Sequence, residues 1–224
     1  EMKTNQFLEA IWSGKVVNTT ENRQALHPAL RGSRDSFFPK DIMNEVTKQK
    51  KQMLKIAEGV RNGNIKSYSG KKYTSVLAIG IGGSDLGPRM SVKALTPFKS
   101  NIDVRFVSNI DPSDLINVTA DLDPSRTLII VSSKTFTTIE TLTNAKAAFN
   151  WLAKNIGEIG AKNQQYAITS NFDNAKIFGF DATKILLFSE WVGGRTSIWS
   201  SVGLPLAISI GEKLFKDFLL GGYS

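Results

Sequence analysis

The 224-residue chain contains no cysteine. Disulfides, thiol catalysis and Cys-ligated metal sites are thereby excluded, while the redox compartment stays open. It contains one histidine, His27, so a multi-histidine metal site is excluded as well. No apolar run approaches the ~18 residues that a membrane-spanning helix needs. Repeats and low-complexity segments are also absent. What remains is the composition of an ordinary globular protein, 41% hydrophobic and 21% charged, long enough for one large domain with a substantial core. The net charge of +8 would suggest nucleic acid only if the basic residues clustered with motif support. The densest basic stretch is Lys48, Lys50, Lys51 and Lys55, on a predicted helix from Asp41 to Val60. The other side of that helix carries Ile42, Val46, Met53, Ala57 and Val60. Such a pattern is a solvated helix face, so neither a nucleic acid nor a membrane partner is expected. A basic protein also attracts anionic small molecules.

The chain is organised around Thr127 to Thr141, TLIIVSSKTFTTIET. Thr127 to Val131 is a short, β-branched apolar run, the pattern of a strand buried on both faces of a parallel sheet. Ile139, Leu142, Ala145, Phe149 and Leu152 then recur at helical spacing. Thr137 and Glu140 have capping-box spacing, which predicts the helix start there. Between strand and helix lie Ser132, Ser133, Lys134, Thr135, Phe136, Thr137 and Thr138. Unpaired N–H groups and the helix dipole favour an anion at such a turn, and the hydroxyls and lysine favour a phosphate monoester. Capping alone would account for Thr137 and Glu140, but not for Ser133, Lys134 and Thr135.

Upstream, 1–32 reads as polar and irregular, with an amphipathic stretch at Phe7, Leu8, Ile11 and Trp12, and 32–40 as a loop. His27, before Pro28, lacks a carboxylate or nucleophile at useful spacing and reads as structural. Gly59 and Gly63 end the basic helix. From Thr74 onward, apolar runs at Val76–Ile81, Val104–Val107, Thr127–Val131, Tyr166–Ile168 and Ile185–Phe188 alternate with helical stretches. That alternation predicts an α/β fold with a doubly wound, five-stranded parallel sheet flanked by helices. Pro88 is placed to open the first crossover helix and Asp173 to cap a later one. Two helical stretches close the chain, at 197–211 and 212–220.

Two more stretches follow predicted strands. In Ala78 to Pro88, AIGIGGSDLGP, the glycines allow close backbone approach and Ser84 offers a hydroxyl at the sheet's carboxyl edge. A dinucleotide fingerprint is only half matched. Asp85 stands where a small residue is needed, although Asp111 could serve as a ribose-binding acid. No Walker lysine follows, which argues against a nucleoside triphosphate. In Glu190 to Gly203, EWVGGRTSIWSSVG, Gly193 and Gly194 precede Arg195, so its guanidinium can reach an anion over bare backbone. The plainer reading is a Gly-Gly turn with a surface arginine. No residue stands out as a general base or nucleophile.

Together IGIGGSDLGP, SSKTFTTIET and WVGGRTSIWSSVG, with FVSNID at Phe106–Asp111 and ENRQALHPALR at Glu21–Arg31, resemble the glucose-6-phosphate isomerase (phosphoglucose isomerase) family. The family fold is a pair of sugar isomerase (SIS) domains. The resemblance implies a helical and irregular segment at 1–72, a first SIS domain at 73–211 and, at 212–224, the start of a connector to a second domain. It implies that Ser133, Lys134, Thr135, Phe136, Thr137 and Thr138 hold a sugar phosphate, that Gly83 and Ser84 contact it, and that Arg195 steadies charge on an enediolate. It implies aldose–ketose isomerisation in the cytoplasm, in glycolysis and gluconeogenesis, by a homodimer without cofactor or metal. The base and ring-opening groups of the family are a Glu in Gly-x-Glu-Ser-Asn, a His and a Lys further toward the C-terminus. No Glu-Ser-Asn occurs in this chain. Thr196 also departs from the aromatic residue usual after the arginine. A stand-alone, non-catalytic SIS module that senses sugar phosphates would share the same phosphate site.

Overall fold

The computed structural model describes residues 2–32 and 38–223. Five strands form one parallel sheet: β3 (Ser75–Ile79), β4 (Asp103–Val107), β5 (Thr127–Ser132), β6 (Gln165–Thr169) and β7 (Ile185–Leu187), in the order β4-β3-β5-β6-β7. All four pairings are parallel. This is the doubly wound α/β architecture that the apolar runs predict.

Side chains alternate across the sheet with period two. Leu128 and Ile130 of β5 enter one core with Val76, Tyr166, Ile168 and Leu186. Ile129 and Val131 enter a second core with Leu77, Ile79, Ala167 and Ile185. The first core is covered by α3 (Lys40–Asn62), α4 (Gly83–Ala94) and α8 (Leu204–Tyr223), the second by α5 (Pro112–Thr119), α6 (Ile139–Asn163) and α7 (Phe172–Phe178). Burial on both faces explains why the inner strands β3 and β5 read as apolar runs, whereas the edge strand β4 carries Asp103 and Arg105 in its less buried half. Chain order reverses between β3 and β5, so the crevice beyond their carboxyl ends is the topological switch point where ligands of such sheets bind.

The basic helix is α3. It buries Ile42, Val46, Met53, Ala57 and Val60, leaves Lys48, Lys51 and Lys55 exposed, and ends on Gly63. Gly59 does not end it: this glycine lies buried inside the helix, where a Cβ would meet Ile65 at 2.7 Å. Residues 2–32, expected to be irregular, form α1 (Met2–Trp12), a hairpin of β1 (Val16–Asn18) and β2 (Arg23–Gln24), and α2 (His27–Arg31). Gln24 Nε2 ties that hairpin to the Gly14 carbonyl at 2.6 Å. Of the expected 32–40 loop, residues 33–37 lie outside the described residues, and Lys40 already belongs to α3.

Three local expectations are corrected. Pro88 sits inside α4 rather than in its first turn, because a tight glycine turn lets the helix begin at Gly83. The cap of α7 is Asn171, whose Oδ1 accepts from the Asn174 N–H at 3.0 Å, with Asp173 in the first turn. The last helical region opens as two short 3₁₀ turns, Gly194–Trp199 and Ser201–Gly203, before α8. A break at Gly211 then divides α8 where the two stretches were expected to meet. Arg61 Nη1 donates to the carbonyls of Ile208 and Ser209 on one side of the break, and Glu58 Oε1 accepts from the Glu212 N–H on the other.

Candidate functional site

The turn after β5 is held by its carbonyls. The Lys134 carbonyl accepts from the Ser170 N–H at 3.0 Å, the Ser170 hydroxyl at 2.8 Å and the Thr169 hydroxyl at 3.0 Å. The Thr135 carbonyl accepts from Asn174 Nδ2 at 2.8 Å. Ser133 N–H bonds the Ile168 carbonyl at 3.0 Å. Among the described residues, the N–H groups of Lys134, Thr135, Phe136, Thr137 and Thr138 have no protein acceptor. Acceptors are thus turned into the protein and donors left open, immediately before the N-terminus of α6, where first-turn N–H groups are unpaired and the dipole is positive. Open backbone donors of this kind make an anion cradle.

The predicted capping box does not form. Thr138 is the N-cap of α6 and makes no side-chain cap bond. Thr137 Oγ1 instead pairs with Thr135 Oγ1 at 2.7 Å, and Ser133 Oγ reaches Thr138 Oγ1 at 3.4 Å. These hydroxyls lie along the open N–H groups rather than closing them. The ring of Phe136 is buried, so this residue can meet a ligand only through its backbone. Thr141 is buried in the first turn of α6, and among the described residues its Oγ1 has no hydrogen-bond partner.

Across the switch point, α4 begins directly after β3. Gly82 takes φ +57° with ψ −122°, a backbone conformation that side chains disfavour. Gly83 has a different reason. A Cβ there would lie 2.2 Å from the Gly194 carbonyl oxygen, so the first and third motifs touch backbone to backbone. The Ser197 hydroxyl lies 3.1 Å from the Gly83 carbonyl oxygen and 2.8 Å from that of Gly194. Ser84 is half-buried at this junction. Arg195 is exposed just beyond it and, among the described residues, has no hydrogen-bond or ion-pair partner. Thr196 closes the turn by donating its N–H and hydroxyl to the Gly193 carbonyl, each at 3.1 Å.

Lys134 joins the two sides. Its Nζ donates to the Val192 carbonyl at 3.1 Å, and burial, then the nearby Arg23, hold it below the ordinary lysine range. Lys134, Thr135 and Arg195 line a cavity of about 570 Å³, which the N-terminal hairpin completes with Glu21, Arg23 and Gln24. No local pattern in Glu21–Arg31 assigns Glu21, Arg23 or Gln24 a role. The hairpin turns at Asn22, which takes φ +49°, a conformation asparagine tolerates better than most residues. His27 also borders this cavity. Its ring centroid is 6.0 Å from that of Trp199, and its Nδ1 lies 3.3 Å from Arg31 Nη2. Burial, then Arg31, push its pKa down, which favours the neutral ring.

The dinucleotide alternative loses its one candidate ribose-binding acid, Asp111, and its mismatched position, Asp85, is engaged within the protein. Asp85 is buried and receives a bidentate Arg89, with Nε 3.0 Å from Oδ1 and 3.1 Å from Oδ2 and Nη2 2.8 Å from Oδ1. Arg89 also reaches Ser108 Oγ at 3.2 Å. Asp111 caps α5, accepting from the Ser113 N–H at 2.9 Å and hydroxyl at 2.7 Å.

Fold and site define a doubly wound α/β protein with a run of open backbone donors at the carboxyl edge of its sheet. A family model of phosphoglucose isomerase matches residues 1–224, and the chain belongs to that family. The glucose-6-phosphate isomerase of Bartonella bacilliformis is 43% identical over 216 residues, 95% of this chain and 39% of that protein. That of Rhizobium leguminosarum bv. trifolii is 45% identical, over 96% of this chain and 40% of its own length. The crystal structure of a glucose-6-phosphate isomerase from Chlamydia trachomatis superposes with a TM-score of 0.81 at 27% identity, covering 98% of this chain and 42% of that one. The chain thus spans about two-fifths of the curated relatives it matches. Among the described residues, no helix is long and apolar enough to cross a membrane.

Proposed function

We propose that this chain carries the substrate-phosphate half-site of a glucose-6-phosphate isomerase. The observation that carries the reading is the turn at Lys134–Thr138, with open N–H groups and tethered carbonyls at a helix N-terminus. Ser133 to Thr138 hold the phosphate of glucose 6-phosphate or fructose 6-phosphate by backbone donors and hydroxyls. Gly83 and Ser84 face the sugar from the end of β3. Arg195, unpaired among the described residues, steadies negative charge as the enediolate forms. The proton moved between C1 and C2 requires a base, and ring opening requires an acid–base pair. Sequence beyond these residues supplies both, since no Glu-Ser-Asn occurs in the 224. The whole enzyme works as a homodimer.

The reading is tested by calorimetric titration of fructose 6-phosphate into the purified chain and into a Lys134→Ala/Thr135→Ala variant. Charge-assisted contacts are worth roughly 1.5–3 kcal/mol each, so the double variant loses measurable binding. The chain alone binds weakly and turns nothing over. Isomerisation by the chain itself, freed of host enzyme, would refute the assignment of base and ring-opening groups to other sequence. Unchanged binding in the double variant would refute a part for the Lys134 and Thr135 side chains, and absence of any binding by the unmodified chain would refute the phosphate site.

A further inference from the structure

Phe136 is one of two non-glycine residues with positive φ among the described residues, at +54°. A bulky side chain avoids this region unless its surroundings over-determine it. Here they do. The ring is 3% exposed and meets two others edge-on, Phe178 at 5.8 Å and 70° and Phe180 at 5.6 Å and 86°. Phe178 ends α7 and Phe180 leads toward β7, so both partners come from chain more than 40 residues downstream. The residue sits in the middle of the run of open N–H groups. A single left-handed residue in such a run turns successive N–H groups toward one concavity.

We infer that Phe136 is the positioning residue of the anion cradle: its ring, clamped by Phe178 and Phe180, holds the backbone in the left-handed conformation that aims the 134–138 N–H groups at one anion. The role rests on the phosphate-site reading above. Phe136 touches the ligand through no side-chain atom and acts through the shape of the turn. The clamp lies on the face of the sheet covered by α6 and α7, so the cradle's shape depends on a core that no anion reaches.

The test is titration of the 224-residue chain with inorganic phosphate, followed by the amide resonances of residues 134–138, at a temperature where every variant is folded. Phe136→Leu keeps an apolar side chain but not the edge-on ring. Phe136→Gly tolerates the positive φ but has no ring to clamp. Each is expected to weaken phosphate binding about tenfold, the equivalent of one lost charge-assisted hydrogen bond. Phe178→Leu, remote from the anion, weakens it by a smaller factor in the same direction. Phe215→Leu is the control. Phe215 is fully buried in the other core, so its truncation lowers the melting temperature without changing phosphate affinity. Wild-type affinity in the folded Phe136 variants overturns the positioning role alone, and wild-type affinity in Phe136→Gly alone shows that φ matters and the clamp does not. Absence of any phosphate response in the wild-type chain removes the site and this role together.

Discussion

The two sides of the switch point are built by opposite means. The Lys134–Thr138 turn is shaped by side chains. Hydroxyls and an amide from the end of β6, the turn after it and α7 tie down its carbonyls, an aromatic clamp fixes its backbone, and among the described residues its N–H donors stay open. The Gly83–Gly194 junction is shaped by the removal of side chains. Two backbones touch where a single Cβ would be excluded, and among the described residues Arg195 has no hydrogen-bond or ion-pair partner. A cradle for a fixed anion needs many weak donors held in one geometry. A group that meets developing charge needs room to approach it. Lys134 links the two, with its backbone in the turn and its ammonium on the Val192 carbonyl.

The sharpest way to break this comparison is Gly83→Ala. The added Cβ would meet backbone atoms of Gly194 at 2.2–2.6 Å, and backbone cannot rotate away as a side chain can. Overpacking of this kind costs about 3 kcal/mol, so a large drop in melting temperature is expected. Asp85→Asn comes next. It removes the charge that receives the bidentate Arg89, while Arg89 remains partly solvated at 41% exposure. A loss of about 2 kcal/mol in urea unfolding follows, less than for a fully buried pair. The third prediction concerns pH. His27 is held below its ordinary value of 6.5 in the folded chain, so the unfolded chain binds the proton more readily. This contribution is fully present above pH 6.5 and is lost as pH falls through the lower, folded value. Melting temperature measured from pH 7.5 down to 5 therefore falls less steeply in His27→Gln than in the wild type.

The smallest pair of effects separates the two sides. Ser197→Ala removes the hydroxyl shared by the Gly83 and Gly194 carbonyls, and Asn174→Ala removes the amide on the Thr135 carbonyl. Each costs about 1 kcal/mol. Phosphate affinity falls in the Asn174 variant and stays unchanged in the Ser197 variant. Equal loss in both would mean that the two sides move as one unit.

Local signals located the sheet well because short β-branched apolar runs bounded by turns mark the inner strands, and all five runs fell on strands. They located helix ends less well. The Thr137–Glu140 spacing permits a cap, yet Thr137 spends its hydroxyl on Thr135, and Asn171 rather than Asp173 caps α7. Several hydroxyls and amides within a few residues can each serve as a cap, and spacing alone does not choose among them.

What the sequence determined by itself was the layered architecture, the family and the stretches that gather at one sheet edge. Apolar periodicity, glycine placement and hydroxyl clustering are properties of consecutive residues, and they suffice for that. Only the tertiary structure decided that Gly83 packs against Gly194, that Phe136 turns inward onto Phe178 and Phe180, and that Arg23 shares a cavity with Lys134 and Arg195. Each of these contacts joins residues some 40 to 170 positions apart. Which distant groups meet is fixed by how two cores pack on the two faces of one sheet, and no local pattern carries that information.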